Sequence, residues 1–356
     1  MMYLPYTIIL LLGAAFSEAQ QRSCTPAQSN TTTTPADDVP AILAAFKECG
    51  EGGTILFPSF QTYYIGSPLD LAVCKGCTIQ IDGTLNITAI GTPVYQAQND
   101  VFQLEGATNL TINGSGLING GYNSPSFMFN MSSASNIRIS GLTIRSPAST
   151  IFYIRDSREI QASSLSLAAY LDPNNPPSKY SSWISAFDIK FSSHIDISQT
   201  NITGVSNCVE FGSNVNSSSV SNLNCSGGGE GVYINLQTAG PLEEYLYNLS
   251  FTNLTIEGAY SATGIGARGG IVTAENVTWQ NVRVHRVMVP THVFGCAGSG
   301  CGGPNNPGAT FILRNISFVN FRGQSRVGQR LDCPWRPGRE CDLQVRDFNV
   351  EVSDWP

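Results

Sequence analysis

The segment Ile184-Ser185-Ala186-Phe187-Asp188-Ile189 decides the fold, because its pattern returns three times before residue 271. In each copy apolar residues alternate with other residues, which is typical of a half-buried strand. Ser185 lies 21 positions before Ser206, where the second copy begins. Short repeats of this length predict a solenoid with stacked equivalent positions. The later copies are Ser206-Asn207-Cys208-Val209-Glu210-Phe211, Gly231-Val232-Tyr233-Ile234-Asn235-Leu236 and Gly264-Ile265-Gly266-Ala267-Arg268.

Stacking would turn these copies into columns of side chains. Neighbouring strands lie about 4.8 Å apart, so residues one repeat apart should be neighbours in space. The alternation predicts that Phe187, Ile189, Val209, Phe211, Val232 and Ile234 face inward. It predicts an outward column of Asp188, Glu210 and Tyr233, with Glu230 and Arg268 nearby. We therefore expect a functional site on this outer face.

The repeat extends through most of the chain and predicts an all-β protein, a parallel β-helix. No long helical pattern separates the strands, which excludes an ordinary sheet of β-α-β units. A short amphipathic helix over about residues 38–49, with Asp38 before it and Pro40 in its first turn, is expected to cap the solenoid. Recognisable copies begin at Thr78, Asn109, Asn136, Glu159, His194, Ser219, Asn248, Asn276 and Asn315.

Composition narrows the functions that fit. The 356 residues are 42% hydrophobic and 13% charged, with a formal net charge of −7 and no basic block. Nucleic acid is therefore not an expected partner. A polyanionic ligand would need locally placed Arg or Lys. We see no clustered Asp ligands for calcium and no zinc pattern, so the sequence predicts neither metal nor cofactor.

The N-terminal segment predicts export. Residues 1–19 read as a secretory signal peptide, residues 20–37 as a polar linker, and residues 38–356 as one β-helix domain. The apolar run is too short to span a bilayer, so no membrane association is expected. Ten Cys residues suit disulfides in an oxidising compartment. Twelve Asn-x-Ser/Thr sites are candidate glycosylation points, although Asn also suits the turns of a repeat. We expect a secreted monomer.

The chain resembles the polygalacturonase family of glycoside hydrolases, number 28 in the usual classification. The resemblance covers nearly the whole mature chain and rests on the capping helix, the segment 53–58, the repeated Asn-[Leu/Ile/Val]-[Ser/Thr] rungs and the order of the four copies. Cys208 and Cys225 match a cysteine pair of the family, which implies a disulfide between them. Residues 226–231, Ser-Gly-Gly-Gly-Glu-Gly, resemble the family's SGGHG. The resemblance implies a secreted, right-handed single-stranded parallel β-helix directed at pectic polymers.

The catalytic pattern of the family is replaced. Its NTDxFD aligns with residues 183–188, so the catalytic Asp falls on Ser185 and only the later Asp survives, as Asp188. Its DDC aligns with Ser206, Asn207 and Cys208. The catalytic His falls on Gly229 or Glu230, depending on a one-residue gap, and its RIK aligns with residues 266–268. Ser and Asn cannot ionise near neutral pH, so neither can act as the acid or base of glycoside hydrolysis.

Two functions remain open. The first is a catalytically impaired family member that binds a pectic cell-wall polysaccharide, with Trp183, Tyr233 and Arg268 as candidate substrate-binding residues. The second is an active hydrolase with a rearranged carboxylate pair, Asp188 and Glu210, and Glu230 close by. Carboxylates on adjacent rungs would be about 5 Å apart, as in a retaining glycosidase. The competing interpretation of these acids is a solvated surface ladder. A purely structural wall protein is a third, weaker interpretation.

Overall fold

The structure is a computed structural model that describes residues 22–28, 37–88, 100–120, 127–145, 150–169, 184–236, 243–267, 271–295, 310–332 and 340–354. Most of these residues lie in parallel strands that wind into a right-handed β-helix. The fold predicted from the repeat is confirmed.

One α-helix and 27 strands form the described part of the chain. They are α1 (Val39–Cys49) and β1 (Ser23–Cys24), β2 (Thr54–Phe57), β3 (Thr62–Ile65), β4 (Leu69–Asp70), β5 (Thr78–Ile81), β6 (Thr84–Ile87), β7 (Phe102–Gln103), β8 (Thr108–Asn113), β9 (Leu117–Asn119), β10 (Phe127–Ser132), β11 (Ser135–Ser140), β12 (Thr143–Arg145), β13 (Thr150–Arg155), β14 (Arg158–Ser163), β15 (Ser166–Ala168), β16 (Ser185–Lys190), β17 (Ser193–Val205), β18 (Asn207–Phe211), β19 (Asn216–Gly227), β20 (Glu230–Leu236), β21 (Glu243–Glu257), β22 (Ser261–Ala267), β23 (Ile271–Val287), β24 (Val289–Gly295), β25 (Thr310–Ser325), β26 (Arg330–Asp332) and β27 (Glu340–Val352).

Two sheets carry the described strands. One has ten strands in the order β26-β24-β22-β20-β18-β16-β13-β10-β7-β4 and is called here the ten-stranded sheet. The other has 17 strands and forms the remaining sides of the coil. In later coils its strands are long and continue around a bend: β17 pairs with both β14 and β15. Every coil therefore contributes one short strand to the ten-stranded sheet, where equivalent residues stack.

Asparagines at the corners hold the coils in register. Asn248, Asn276 and Asn315 all have positive φ, a backbone conformation that Asn tolerates better than most residues. The Asn276 amide donates to Asn248 over 3.1 Å, and the Asn315 amide donates to Asn276 over 2.8 Å. A second ladder links Asn222, Asn253, Asn281 and Asn320. The recurrent Asn at the start of each repeat thus has a structural cause.

The register corrects two expected repeat boundaries. Thr78 pairs with Thr111 and not with the repeat start Asn109. The second boundary is the one expected at Ser219. Asn216 pairs with Ser193, which precedes His194, and Ser217 has the positive φ of the other starts. The rung expected to begin at Ser219 therefore begins two residues earlier. Ser219 pairs instead with Asp196. The boundary predicted from the sequence was wrong because Ser218 and Ser219 are equally polar, so the alternation there does not show which of them faces inward.

The interior of the coil is apolar and ordered by stacked aromatic rings. Phe129, Phe152 and Phe187 occupy successive strands, with ring centroids 4.9 Å apart at both steps. All six residues predicted to face inward are fully buried. A second stack joins Phe251, Trp279 and Phe318 at 5.0 and 4.8 Å. Rings at one strand spacing fill the core from coil to coil.

The N-terminal end is closed as the sequence predicted. Helix α1 lies within the expected range 38–49 and buries Val39, Ile42, Ala45, Phe46 and Cys49. Disulfides join Cys24 to Cys49, Cys74 to Cys77 and Cys208 to Cys225. The last pair is the one that the family resemblance implied. No helix in the described ranges is long and apolar enough to cross a membrane.

The core stack predicts a large effect of a single truncation. Phe152→Ala removes a fully buried ring between two others, so we expect a loss of about 3–5 kcal/mol in the free energy of unfolding. Guanidinium unfolding of purified protein measures this loss. Tyr247→Ala, at a side chain that is 44% exposed, is the control and should change stability by less than about 1 kcal/mol. Equal losses in the two variants would contradict the described core.

Candidate functional site

Three adjacent strands of the ten-stranded sheet bring the candidate residues together. Strand β16 pairs with β18, and β18 pairs with β20. The register places Asp188 beside Glu210 and Glu210 beside Tyr233, which is the column expected from the alternation. Ser185 pairs with Asn207 at the start of the same strands. These residues form one group, called here the Glu210 cluster: Ser185, Asp188, Lys190, Asn207, Glu210, Glu230 and Asn235.

Glu210 is the centre of the cluster. Its Oε2 accepts a hydrogen bond from Asn207 Nδ2 over 2.9 Å, and its Oε1 accepts one from Asn235 Nδ2 over 3.0 Å. The Ser185 hydroxyl lies 3.4 Å from Oε2 as a further, long donor. Glu210 is only 7% exposed. Both oxygens of this carboxylate are therefore held by neutral side chains inside the protein.

Asn207 connects two strands through its side chain. Its Oδ1 accepts the backbone N–H of Glu230 over 3.1 Å, while its Nδ2 donates to Glu210. Asn207 and Ser185 are 5% and 4% exposed. Ser206 lies in the turn before β18, where its carbonyl accepts the N–H of Gly229 over 2.9 Å. Ser185, Ser206 and Asn207, which the sequence analysis aligned with the family's acids, therefore lie close together, and Ser185 and Asn207 are within hydrogen-bonding range of Glu210.

The backbone leaves no space for a side chain at Gly229. A Cβ built there would lie 2.4 Å from the Ser206 carbonyl oxygen and 2.9 Å from Asn207 Oδ1. Glu230 is thus the residue at this turn that carries a side chain into the cluster. Of the two positions that the alignment offered for the histidine, the geometry gives room only to Glu230.

Burial sets the protonation of the two glutamates. Loss of solvation raises the pKa of Glu230 to about 7, and the nearby Glu210 carboxylate contributes to this rise. The Oε2 atom of Glu230 is buried with no hydrogen-bond partner among the described residues. Loss of solvation and the charge of Asp188 also raise the pKa of Glu210, while Lys190 and the two amides oppose that rise. At mildly acid pH Glu230 therefore holds a proton.

Asp188 is paired on one side only. Its Oδ2 lies 3.1 Å from Lys190 Nζ, and its Oδ1 is buried without a hydrogen-bond partner in the described part of the chain. Burial alone would lower the pKa of Lys190, but Asp188 and Glu210 more than offset this effect, so the pKa lies above its usual value. The solvated ladder considered from the sequence is not what forms, because these acids are largely buried and Asp188 is ion-paired with Lys190.

Tyr233 closes the floor of the site. The residue is 2% exposed, and its hydroxyl donates to the carbonyl oxygen of His292 over 3.3 Å. A Cβ at Gly264 would lie 2.8 Å from the Tyr233 ring, and one at Gly266 would lie 2.9 Å from its hydroxyl. The ring thus lies over two glycines rather than facing solvent as expected. Its contact with substrate stays a prediction, and Trp183 and Arg268 lie outside the described residues.

Two members of the cluster escaped the sequence analysis. Lys190 and Asn235 stand two residues after Asp188 and Tyr233, so they share the outward face of their strands. Extending the alternation by one more step would have found them. Among the described residues, no three His, Cys, Asp or Glu side chains are arranged to hold a metal ion.

Fold and cluster together define a parallel β-helix with a buried acidic site on one sheet. The model of glycosyl hydrolases family 28 matches residues 54–354. The chain belongs to this family.

Individual relatives are similar along nearly the whole chain. A probable endo-xylogalacturonan hydrolase A from Aspergillus fumigatus is 30% identical over 361 residues, covering 92% of this chain and 85% of that protein. The crystal structure of endo-xylogalacturonan hydrolase from Aspergillus tubingensis superposes with a TM-score of 0.82 at 26% identity, covering 93% of both chains. Polygalacturonase from Erwinia carotovora, at 16% identity and a TM-score of 0.61, shares the fold, with 94% of this chain and 96% of that one covered.

The raised pKa of Glu230 predicts how stability varies with pH. The folded protein keeps this proton up to about pH 7, whereas an unperturbed Glu with a pKa of 4.5 releases it earlier. Between these values the folded state binds more protons than the unfolded chain, so its stability falls as pH rises and levels off above 7. The loss should be on the order of 3 kcal/mol.

Guanidinium unfolding at pH 5 and pH 8 tests this effect. Glu230→Gln removes the titrating group, so its stability should fall less than that of the natural protein between the two values. Glu275→Gln, an exposed acid of the 17-stranded sheet, is the matched control and should behave like the natural protein. An identical pH dependence in all three proteins would refute the assignment to Glu230.

Proposed function

We propose that this chain is a pectin-directed member of family 28 that binds the polysaccharide on its ten-stranded sheet and has lost the hydrolytic mechanism of the family. One observation carries the proposal. The positions aligned with catalytic acids hold Ser185, Ser206 and Asn207, and the nearest carboxylate, Glu210, is engaged with neutral donors. A carboxylate that is 7% exposed and has a donor on each oxygen is poorly placed to attack a sugar or to activate water.

The chemistry explains why binding would survive and turnover would not. Glycoside hydrolysis needs one carboxyl group to protonate the leaving oxygen and another to attack or to activate water. Each assisted proton transfer contributes roughly 10²–10⁴-fold to the rate. Binding, by contrast, depends on the shape and polarity of the sheet, which the neutral replacements leave in place.

The polymer is inferred from the relatives. Two of the similar proteins are named for xylogalacturonan, a galacturonan backbone that carries xylose. Because this chain aligns over 92% of its length with one of them, the same class of polymer is the first candidate ligand. Lys190 supplies a cation beside the cluster for a uronate carboxylate.

Export supports a cell-wall ligand. Residues 1–19 have the pattern of a signal peptide, residues 20–37 that of a linker, and 38–356 that of one domain. Three disulfides within the described residues fit an oxidising compartment. We infer that the protein is secreted, where it meets polysaccharide rather than soluble metabolites.

Purified protein should bind xylogalacturonan and release no new reducing ends from it. Affinity electrophoresis in gels that contain the polymer measures binding, and a reducing-end assay measures hydrolysis. Binding without release supports the proposal. Release at a rate typical of enzymes would reject the loss of hydrolysis, and absence of binding to xylogalacturonan and polygalacturonate would reject the proposed ligand.

Restoring the acids should require one further change. Ser185→Asp, Ser206→Asp and Asn207→Asp bring back three carboxyl groups, but the change at position 207 would put a carboxylate where Asn207 now donates to Glu210 over 2.9 Å. Two carboxylates at that distance repel strongly. We expect reducing-end release to be higher when Glu210→Ala is added than with the triple change alone. Activity in the triple variant that Glu210→Ala does not raise would show that Glu210 does not control the site.

A second candidate function rests on Glu230. A carboxyl group with a pKa of about 7 suits a general acid, and the adjacent Glu210 would serve as nucleophile or base. In this mechanism Glu230 gives its proton to the glycosidic oxygen, while Glu210 attacks or activates water from the other side. Asp188, the partner expected from the sequence, would instead keep Lys190 in place. This function requires the side-chain amides of Asn207 and Asn235 to give up their hydrogen bonds to Glu210.

Glutamate variants separate the two functions. If the natural protein releases reducing ends, Glu230→Gln and Glu210→Gln should each reduce kcat by at least about 100-fold. The rate of the natural protein should also decline above pH 7 as Glu230 loses its proton. Activity that survives both changes would reject this carboxylate pair. Glu275→Gln again serves as the control.

A further inference from the structure

The outer face of the ten-stranded sheet contains a second polar site, separate from the Glu210 cluster. A cavity of about 430 Å³ is lined by Asp70, Asp100, Gln103, Glu105 and Asn130. It lies over β4, β7 and β10, at the N-terminal end of the sheet. No motif of the sequence analysis pointed to it, because its acids are spread over separate coils. We call it the N-terminal cavity.

One column of side chains connects the cavity with the Glu210 cluster. Asp70 pairs with Gln103, Gln103 with Asn130, and Asn130 with Tyr153. Tyr153 in turn pairs with Asp188, which pairs with Glu210. Asn130 and Glu210 are three strand steps apart, or about 14 Å. A short oligosaccharide lying along the coil axis spans that distance and would touch both sites.

Asp100 lines the cavity and has one carboxyl oxygen without a hydrogen-bond donor among the described residues. The residue is 7% exposed, and its Oδ2 accepts a hydrogen bond from Asn130 Nδ2 over 2.6 Å. Its Oδ1 has no hydrogen-bond partner among the described residues. A buried carboxylate oxygen without a donor is costly. A hydroxyl donor in the cavity would remove that cost.

An aromatic pair stands between the two sites. The rings of Phe127 and Tyr153 are nearly parallel, with centroids 4.1 Å apart, and both residues are half-buried. Burial raises the pKa of Asp100, and hydrogen bonds from the Asn130 side chain and the Phe127 backbone N–H oppose this rise, so Phe127 lies beside Asp100. An accessible aromatic edge or face next to hydroxyl-binding groups suits a ring that is apolar on one side and polar around its rim. A pyranose has this character.

The charges of the side chains that line the cavity indicate which kind of sugar ring would bind there. Three carboxyl groups line it, and none of the described lining residues is Lys or Arg. A uronate here would meet like charges, whereas hydroxyl groups would find carboxylate and amide acceptors. The acids do not converge as cation ligands would, because no group of three such side chains in the described chain could hold a metal ion.

We propose that the N-terminal cavity, with the Phe127–Tyr153 pair, is a subsite for an uncharged sugar ring of the bound polysaccharide. This inference rests on the proposed function, because it assigns one part of the same binding face. A neutral branch sugar or a methyl-esterified galacturonate meets the requirement, and a free galacturonate does not. The cavity thus selects a polymer whose charge is masked at this position.

The experiment compares two oligogalacturonides of equal length, one fully methyl-esterified and one de-esterified, by calorimetry with the full chain. The natural protein should bind the esterified form more tightly. Asp70→Asn with Glu105→Gln, two exposed acids, should tighten binding of the de-esterified form about tenfold by removing repulsion. Tyr153→Ala should weaken binding of the esterified form about tenfold.

Further variants make the outcomes distinct. Asp100→Asn keeps the shape of the side chain, and the change that it causes in the affinity for the esterified ligand measures the contribution of the oxygen that has no hydrogen-bond partner. Thermal unfolding verifies that this variant is folded. Glu275→Gln should leave both affinities unchanged. If the natural protein binds both ligands but the lining variants leave the preference intact, the subsite is rejected and the proposed function stands. If it binds no galacturonan at all, both are rejected.

Discussion

Parallel strands stacked in register are the constraint on which this structure depends. Each coil must place its strand about 4.8 Å from the last, the spacing of hydrogen-bonded strands, so every residue is fixed beside its equivalents in neighbouring coils. The asparagine ladders and the stacked phenylalanines enforce the same register from outside and inside the coil. A side chain's chemical surroundings therefore include residues one coil away, as Asn207 and Glu230 show.

That constraint explains how the Glu210 cluster is built. Stacking brings three acids onto adjacent strands, where mutual repulsion and burial would be unfavourable. Asn207 and Asn235 offset this by donating to both oxygens of Glu210, and Lys190 neutralises Asp188. The unfavourable burial and repulsion that remain act on Glu230 and raise its pKa to about 7. Asn207 and Ser185 are thus partners of a buried glutamate, and substitution there has consequences for both stability and chemistry.

The fold could be predicted from the sequence because a period-two alternation and a recurring Asn have one structural solution. Phe187, Val209 and Val232 were placed inward by the alternation and are buried in the structure. The column of Asp188, Glu210 and Tyr233 followed from the spacing, and the strand pairing has that register. The exposure of this column to solvent could not be predicted, because burial depends on how turns and neighbouring side chains cover a strand. Gly229 and Glu230 could not be distinguished until the backbone showed no room for a side chain at Gly229.

The most direct test is a crystal structure of the purified protein with a xylogalacturonan oligosaccharide. The account predicts an intact oligosaccharide along the outer face of the ten-stranded sheet, with an uncharged ring beside Asp100. It also predicts that Glu210 keeps its hydrogen bonds from Asn207 and Asn235. A cleaved product with Glu210 turned toward the sugar, or a ligand bound on another face, would contradict it.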